Sequence, residues 1–470
     1  MRLFYFLLLF LFSTQLVSGQ EYMTLQKARK MALANSEDVK IADQQLQKAV
    51  DQKAMARTNY LPNISASARG IYQKDVFRKD YYLPTATPNS QTGEPEPNVM
   101  TDANGNEVIG PDGMPVYNLY TYLPLKISLQ GAYLAGIQID QPIYHGGKIH
   151  AANKMADNGL KLAQANQKKQ KIATIVETDK AYWLYVSVQE KVRLSQSSVH
   201  MLDSLLQQVR NNYQAGMIKR NEVLKVLVKY NNALLQLQEA NSGLDLSRMS
   251  LCRLTGLPFS TELKTDSLVV INDSLLVSSL PENYKLRPEY QLLNQQIQLK
   301  EQTIRETRSD FLPTIGIQAG AFRFGGVKLN DDPLNQTNYS LMASVKIPIF
   351  HWGEGRKKIA AAQADREIEK LELTKNAQLM QLQIERAKHH LKDAYFRVTI
   401  SRTALKQATE NLRVSRDNYD VGNELMTDLL IAQTEWQEAY SKEIDAKTNY
   451  QIYATEYLQA TANLLPEENQ

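Results

Sequence analysis

Two stretches of this chain contain no proline: Ile143–Leu257, bounded by Pro142 and Pro258, and Ile349–Leu465, bounded by Pro348 and Pro466. Proline lacks a backbone donor and clashes with the preceding helical turn, so long runs free of it are permissive for very long helices. Each run carries a glycine at a corresponding place, Gly216 in Tyr213-Gln-Ala-Gly216 and Gly422 in Tyr419-Asp-Val-Gly422. Glycine after a periodic apolar run stops a helix. Each stretch therefore predicts a long helix, a tight turn and a shorter return helix. At about 1.5 Å per residue, the first arm of each spans on the order of 100 Å. Globular domains seldom contain such elements.

The two stretches are copies of one plan. Tyr60-Leu-Pro62 recurs as Phe311-Leu-Pro313, and Pro142-Ile-Tyr-His145 as Pro348-Ile-Phe-His351. Glu222-Val-Leu224 after the first glycine matches Asp428-Leu-Leu430 after the second, and both halves close on a Leu-Pro pair. A repeat this long is a duplicated architecture and not a short-period solenoid. The domain plan is then a first repeat over 20–258, a connecting segment over 259–287, a second repeat over 288–466 and a tail over 467–470.

Residues 1–19 have the pattern of a secretory signal: Arg2, an apolar core from Leu3 to Phe12, and small residues at Val17-Ser-Gly19. No Cys lies near that site, so a lipid anchor is not expected, and the single Cys252 rules out an intrachain disulfide. No later stretch approaches the eighteen or so consecutive apolar residues of a membrane helix. The net charge of +4 is small, and Lys and Arg are dispersed, which argues against nucleic acid as a partner. Helices are expected from Leu25 to about Leu33, from Glu37 to about Thr58, and over Glu289–Arg308. Within the long arms, Val199, Leu206 and Tyr213 lie seven apart, as do Leu405, Leu412 and Tyr419, a coiled-coil spacing.

After each Leu-Pro pair the period changes to two. Tyr133, Ala135, Ile137 and Ile139 oppose Gly136, Gln138 and Asp140, while Tyr339, Leu341, Ala343, Val345 and Ile347 oppose Ser340, Met342, Ser344 and Lys346. Such alternation marks strands with one apolar and one polar face. Each repeat supplies one strand pair. Either a soluble sheet covered by helices or an outer-membrane barrel fits this pattern. Four strands cannot close a barrel, since about eight is the minimum, so the membrane reading demands oligomerisation. The connector over 74–125 is rich in Pro, Gly, Asn and Asp and is expected as an irregular outer loop, while its counterpart over Gly326–Thr337 is short.

Chemistry is sparse. There is no Gly-rich phosphate loop, His-Glu-x-x-His, Cys pair or Gly-x-Ser-x-Gly, so no enzyme activity, cofactor or metal site is expected. His145 and His351 follow the last strand of each repeat and are assigned to the strand-to-helix junction.

Together, the paired Leu-Pro signals, Pro-Ile-Tyr-His-Gly-Gly-Lys148, Pro-Ile-Phe-His-Trp-Gly-Glu-Gly-Arg356 and the two Tyr-x-x-Gly turns resemble the TolC-like outer-membrane efflux protein family over Thr24–Pro466. The resemblance implies a mainly α fold with a small β part, in which three copies form a twelve-stranded outer-membrane barrel and a long periplasmic helical tunnel. It implies as partners a periplasmic adaptor, an inner-membrane pump and outer-membrane lipid, and a role as passive exit duct. A type I protein-secretion duct is the alternative within that class, and a soluble periplasmic coiled-coil scaffold the rival outside it. The turns containing Tyr213, Gly216 and Gly422 become the periplasmic tips. The family's gate aspartates fall on Asp428 and, where the chain departs from the pattern, on Ile431; its tyrosine-to-acid link falls on Tyr419 and Glu222. A bracing arginine of the family falls on Glu424.

Overall fold

The computed structural model describes residues 21–83, 86–89, 91–118, 123–266 and 282–464. The expected signal (1–19), most of the connecting segment, the closing Leu465-Pro466 and the tail lie outside these residues. The described chain divides into two compact units.

One unit, residues 54–153 and 304–360, is built on a four-stranded antiparallel sheet. Its strands are β2 (Asn63–Leu83), β5 (Leu123–His145), β7 (Thr314–Leu329) and β8 (Asp332–Lys346), in the spatial order β2-β5-β7-β8. Ile137 stands opposite Ala66 and Ala321, and Gln138 opposite Ser65 and Gly320, so the alternation in sequence becomes two chemically distinct faces. On the apolar face Ile137, Leu341 and Val345 remain exposed. On the polar face the Gln318 and Gln138 amides donate to Asp140 Oδ1 at 2.6 and 2.9 Å. Among the described residues no helix is long and apolar enough to cross a membrane.

The strands are longer than the alternation indicates. Register shifts at Tyr72/Phe77, Leu129/Tyr133 and Phe324/Val327 interrupt the period of two, and pairing resumes beyond each. The expected connector at 326–337 is therefore mostly strand, and the turn itself is only Asn330-Asp331, both at positive φ (52° and 67°). Asn and Asp tolerate that conformation, which a tight two-residue hairpin requires. Nor is the 74–125 segment wholly irregular. A short ladder joins β3 (Ala86–Pro88) to β4 (Pro95–Pro97). Beyond it, Met100, Val116 and Val108 form a closed triangle of backbone hydrogen bonds of 2.6 to 2.8 Å.

The junctions of this unit are tight. Gly146 has φ +60°, and a Cβ there would lie 2.5 Å from the Ser309 carbonyl oxygen. Lys148 pairs with Asp310 at 3.0 Å, and the His351 ring meets Phe311 edge-on at 5.8 Å, which supports the junction role read from the repeats.

The other unit is helical. It contains α1 (Leu25–Asn35), the greater part of α2 (Glu37–Thr58) and of α5 (Pro288–Ser309), and two hairpins. The first hairpin is α3 (Lys148–Gln214) with α4 (Arg220–Thr255), and the second is α6 (Glu354–Asp420) with α7 (Met426–Ala460). The leading helix of each has 67 residues, about 100 Å of rise. The hairpins are joined through α3 and α7, which run antiparallel: Lys180 pairs with Glu456 and Lys191 with Asp445, both at 2.7 Å, and Ser198 bonds Gln437 at 3.1 Å. Towards the turns the seam becomes apolar, with Leu202, Leu206, Val209, Val226, Met426 and Leu430 buried together. The heptad residues Leu206 and Leu412 are core, whereas Tyr213 is exposed.

At the other end, β1 (Glu21–Met23) pairs in parallel with β6 (Leu263–Thr265). The Tyr182 and Tyr185 hydroxyls donate to the Met23 and Leu263 carbonyls at 3.3 and 2.8 Å.

Candidate functional site: the two interhelical turns

Both turns are built alike. Gly216 sits at φ +76° and Gly422 at +81°, just past the ends of α3 and α6. Gly216 N–H bonds the Tyr213 carbonyl and Met217 N–H the Asn212 carbonyl; Gly422 and Asn423 repeat this with Tyr419 and Asn418. These paired bonds define the Schellman motif, which satisfies the last helix carbonyls and favours glycine at the left-handed position. The return helices start without a side-chain cap, at Lys219 and Leu425. Each instead places an acid in its first turn, Glu222 and Asp428, where the helix dipole favours negative charge.

The candidate gate residues divide into two groups. Asp428 and Ile431 are exposed, one helical turn apart on α7, with Glu435 exposed a heptad beyond Asp428. Glu222 and Tyr419 are part-buried, one in each hairpin. Burial lifts the Tyr419 phenol above its usual range, and the Glu222 and Asp420 carboxylates add to the rise. Glu222 Oε1 accepts a hydrogen bond from Lys225 Nζ at 3.1 Å, and its carboxylate lies near enough to act on the Tyr419 phenol. Tyr419 packs its ring against the apolar seam. Glu424, which stands where the family has a bracing arginine, reaches back to Ser415 and Asn418 within its own hairpin. Lys225 and Thr427, which the sequence patterns do not mark, bond each other across the hairpins at 3.3 Å.

The outer membrane efflux protein family matches residues 117–257 and 284–463, the greater part of both repeats. The chain belongs to that family. Among relatives, it is 23% identical over 305 residues to the cobalt-zinc-cadmium resistance protein CzcC of Cupriavidus metallidurans, covering 63% of this chain and 69% of that protein. It is 21% identical over 232 residues to the alkaline protease secretion protein AprF of Pseudomonas aeruginosa, about half of each chain (47%). The Campylobacter jejuni CmeC outer membrane channel has the same fold, with a TM-score of 0.73 at 16% identity, over 95% of this chain and 87% of that one. As a member of the efflux family, this protein is an outer-membrane exit duct and a passive channel, not an enzyme, which sets aside the soluble-scaffold rival. Its mainly helical fold with a small sheet, duplicated as strand pair plus hairpin, is the arrangement the repeats predict.

Proposed function

We propose that three copies of this chain close into a twelve-stranded barrel continued by a helical tunnel, that the two turns gate its periplasmic end, and that it serves a periplasmic adaptor and an inner-membrane pump. The observation that carries this reading is the pair of open sheet edges. Successive strands alternate in direction, so β8 runs antiparallel to β2, and the free edge of β8 fits the free edge of β2 in another copy. An open edge in lipid leaves backbone groups unpaired, and three sets of four strands remove every edge.

The exposed side chains support the same closure. Ile137, Leu341, Val345 and Ile347 offer lipid an apolar face. Phe350 and Trp352, just after β8, are exposed and stacked edge-to-face at 4.9 Å, in keeping with the aromatic girdle of a barrel. Leu224, Val228 and Leu235 on α4, and Leu382, Phe396 and Ile400 on α6, remain exposed at heptad-related spacings, as helices awaiting a further coiled-coil neighbour would be.

The cargo reading we favour is small-solute efflux, because the longer alignment is with the metal-resistance protein CzcC. The shorter match to the secretion protein AprF keeps type I protein secretion as the second reading. Native mass spectrometry in detergent should show a trimer; a stable monomer or dimer would overturn the closure. Crosslinking in cells followed by identification of the captured inner-membrane partner separates efflux pump from protein secretor.

A further inference from the structure

The first turn of α7 is held both within its own hairpin, where Leu429 is buried with Leu412 of α6, and from the first hairpin. Its N-cap residue, Leu425, supplies no side-chain acceptor, and Met426 and Leu430 sink into the apolar seam of the first hairpin. The polar contact at this point comes from α4, whose Lys225 Nζ donates to Thr427 Oγ1 at 3.3 Å. Four residues on, Lys229 Nζ donates to Thr434 Oγ1 at 3.2 Å, so two lysines one turn apart bond two threonines a heptad apart. A lysine stem is flexible, and its ammonium needs a second partner to stay in place. Glu222, one turn back on α4, provides it at 3.1 Å. Glu222, Lys225 and Thr427 thus form a chain that starts on one hairpin and ends on the other.

We infer that Lys225 couples the start of α7 to the first hairpin, beside the Gln208–Asp420 bond of 2.9 Å that joins α3 to the end of α6, with Glu222 acting through Lys225 as a positioning residue. This rests on the reading of the turns as the gate. The first two turns of α7 carry Asp428 and Ile431, so widening an aperture bounded by them requires this end of the helix to leave α4, and Lys225–Thr427 is a hydrogen bond that breaks as it does. Loss of Glu222 then loosens the turn by releasing Lys225. It does not do so by releasing Tyr419, which packs against the buried clusters that contain Met426 and Leu429.

Single-channel recording of the full-length protein in planar bilayers tests this. K225M and T427V should each raise the closed-state conductance about three-fold, in line with the loss of one solvent-accessible hydrogen bond. The double variant should exceed neither single one, since both remove the same bond, and T427S, which keeps the acceptor, should behave as wild type. Wild-type conductance in K225M or T427V, or effects that multiply in the double variant, would overturn the coupling. So would a Y419F channel that opens while K225M does not. The gate reading fails on a different readout in the same recordings: D428N leaving both ion selectivity and divalent block unchanged.

Discussion

Arg29 grips Asp179 with two nitrogens of its guanidinium, Nε reaching Oδ1 at 2.7 Å, and the aspartate is fully buried. Thr455 donates to the other carboxylate oxygen at 2.8 Å, so one acid on α3 ties the N-terminal helix α1 to α7. In the same region Asn35 of α1 donates to the Thr255 carbonyl at the end of α4. Removing Arg29 leaves a buried carboxylate without its counter-charge, a change that costs about 3 kcal/mol. Arg29→Ala should lower the thermal midpoint in detergent by several degrees, and adding Asp179→Asn should recover part of the loss. Equal midpoints for wild type and Arg29→Ala would show that the pair contributes nothing.

The base of the helical unit should be alkali-sensitive. Burial pushes the phenols of Tyr182 and Tyr185 up to about 12 from an ordinary 10. The unfolded chain therefore loses these two protons first. Stability is complete below pH 10 and falls as the pH rises from 10 towards 12, at up to about 1.4 kcal/mol per tyrosine per pH unit. Alkaline unfolding followed by circular dichroism should show this slope, and Tyr182→Phe should make it shallower. A Tyr182→Phe profile parallel to wild type above pH 10 contradicts the assignment.

Asp428 should set ion preference at the turns. Asp428 is exposed, and in the proposed trimer three such carboxylates would converge at the turns, repel one another and attract cations. Asp428→Asn is expected to shift the reversal potential towards lower cation selectivity and to weaken block by divalent ions. Glu435, on the same exposed face one heptad on, is the natural second substitution if a residual preference persists.

The two sheet faces should respond oppositely to charge. Ile137→Arg or Val345→Arg places a guanidinium on the lipid side, at a cost of roughly 2–4 kcal/mol near the bilayer midplane. Such variants should lose trimer on cold SDS gels, whereas Ser67→Arg on the polar face should assemble. Normal assembly of Val345→Arg would invert the assignment of faces.

The segment between β2 and β5 should be dispensable for folding. The backbone hydrogen bonds of its described residues lie within the segment itself, and loop closure depends only weakly on length. Deleting residues 86–118 and closing the gap with a short turn should leave the trimer intact. Protease added to whole cells should nick the unmodified protein in this segment first, and cleavage only after lysis would reverse the topology.

The helices were legible because their signals are local. Proline boundaries and the glycines of Tyr-x-x-Gly act within one turn of chain, and the structure sets Gly216 and Gly422 at the left-handed positions they announce. The helix over Glu37–Thr58 ends where its own residues dictate. Strand length was less legible because bulges such as Tyr72/Phe77 break the period without ending the pairing. Least legible was the tip itself. Lys225 and Thr427 are 202 positions apart, and their contact follows from how α4 docks beside α7, which no local pattern encodes. The family pattern marks Glu222 and Tyr419, and it does not mark the lysine one turn away that bonds the same acid.

In the proposed barrel, with the 74–125 loop on the outer side, the unequal hairpins of the sheet have a consequence for whatever meets this protein there. One hairpin closes on Asn330-Asp331 alone, whereas the other carries a long insertion whose described residues form their own ladder and triangle of hydrogen bonds. A closed ring of three copies would alternate bare and decorated crests, presenting three identical handles around one mouth. A binder with a single arm would gain little from that arrangement. One with matching threefold arms, such as a phage fibre tip or a multimeric antibody, would hold all three handles at once, and its avidity would rise steeply with no better contact at any one of them.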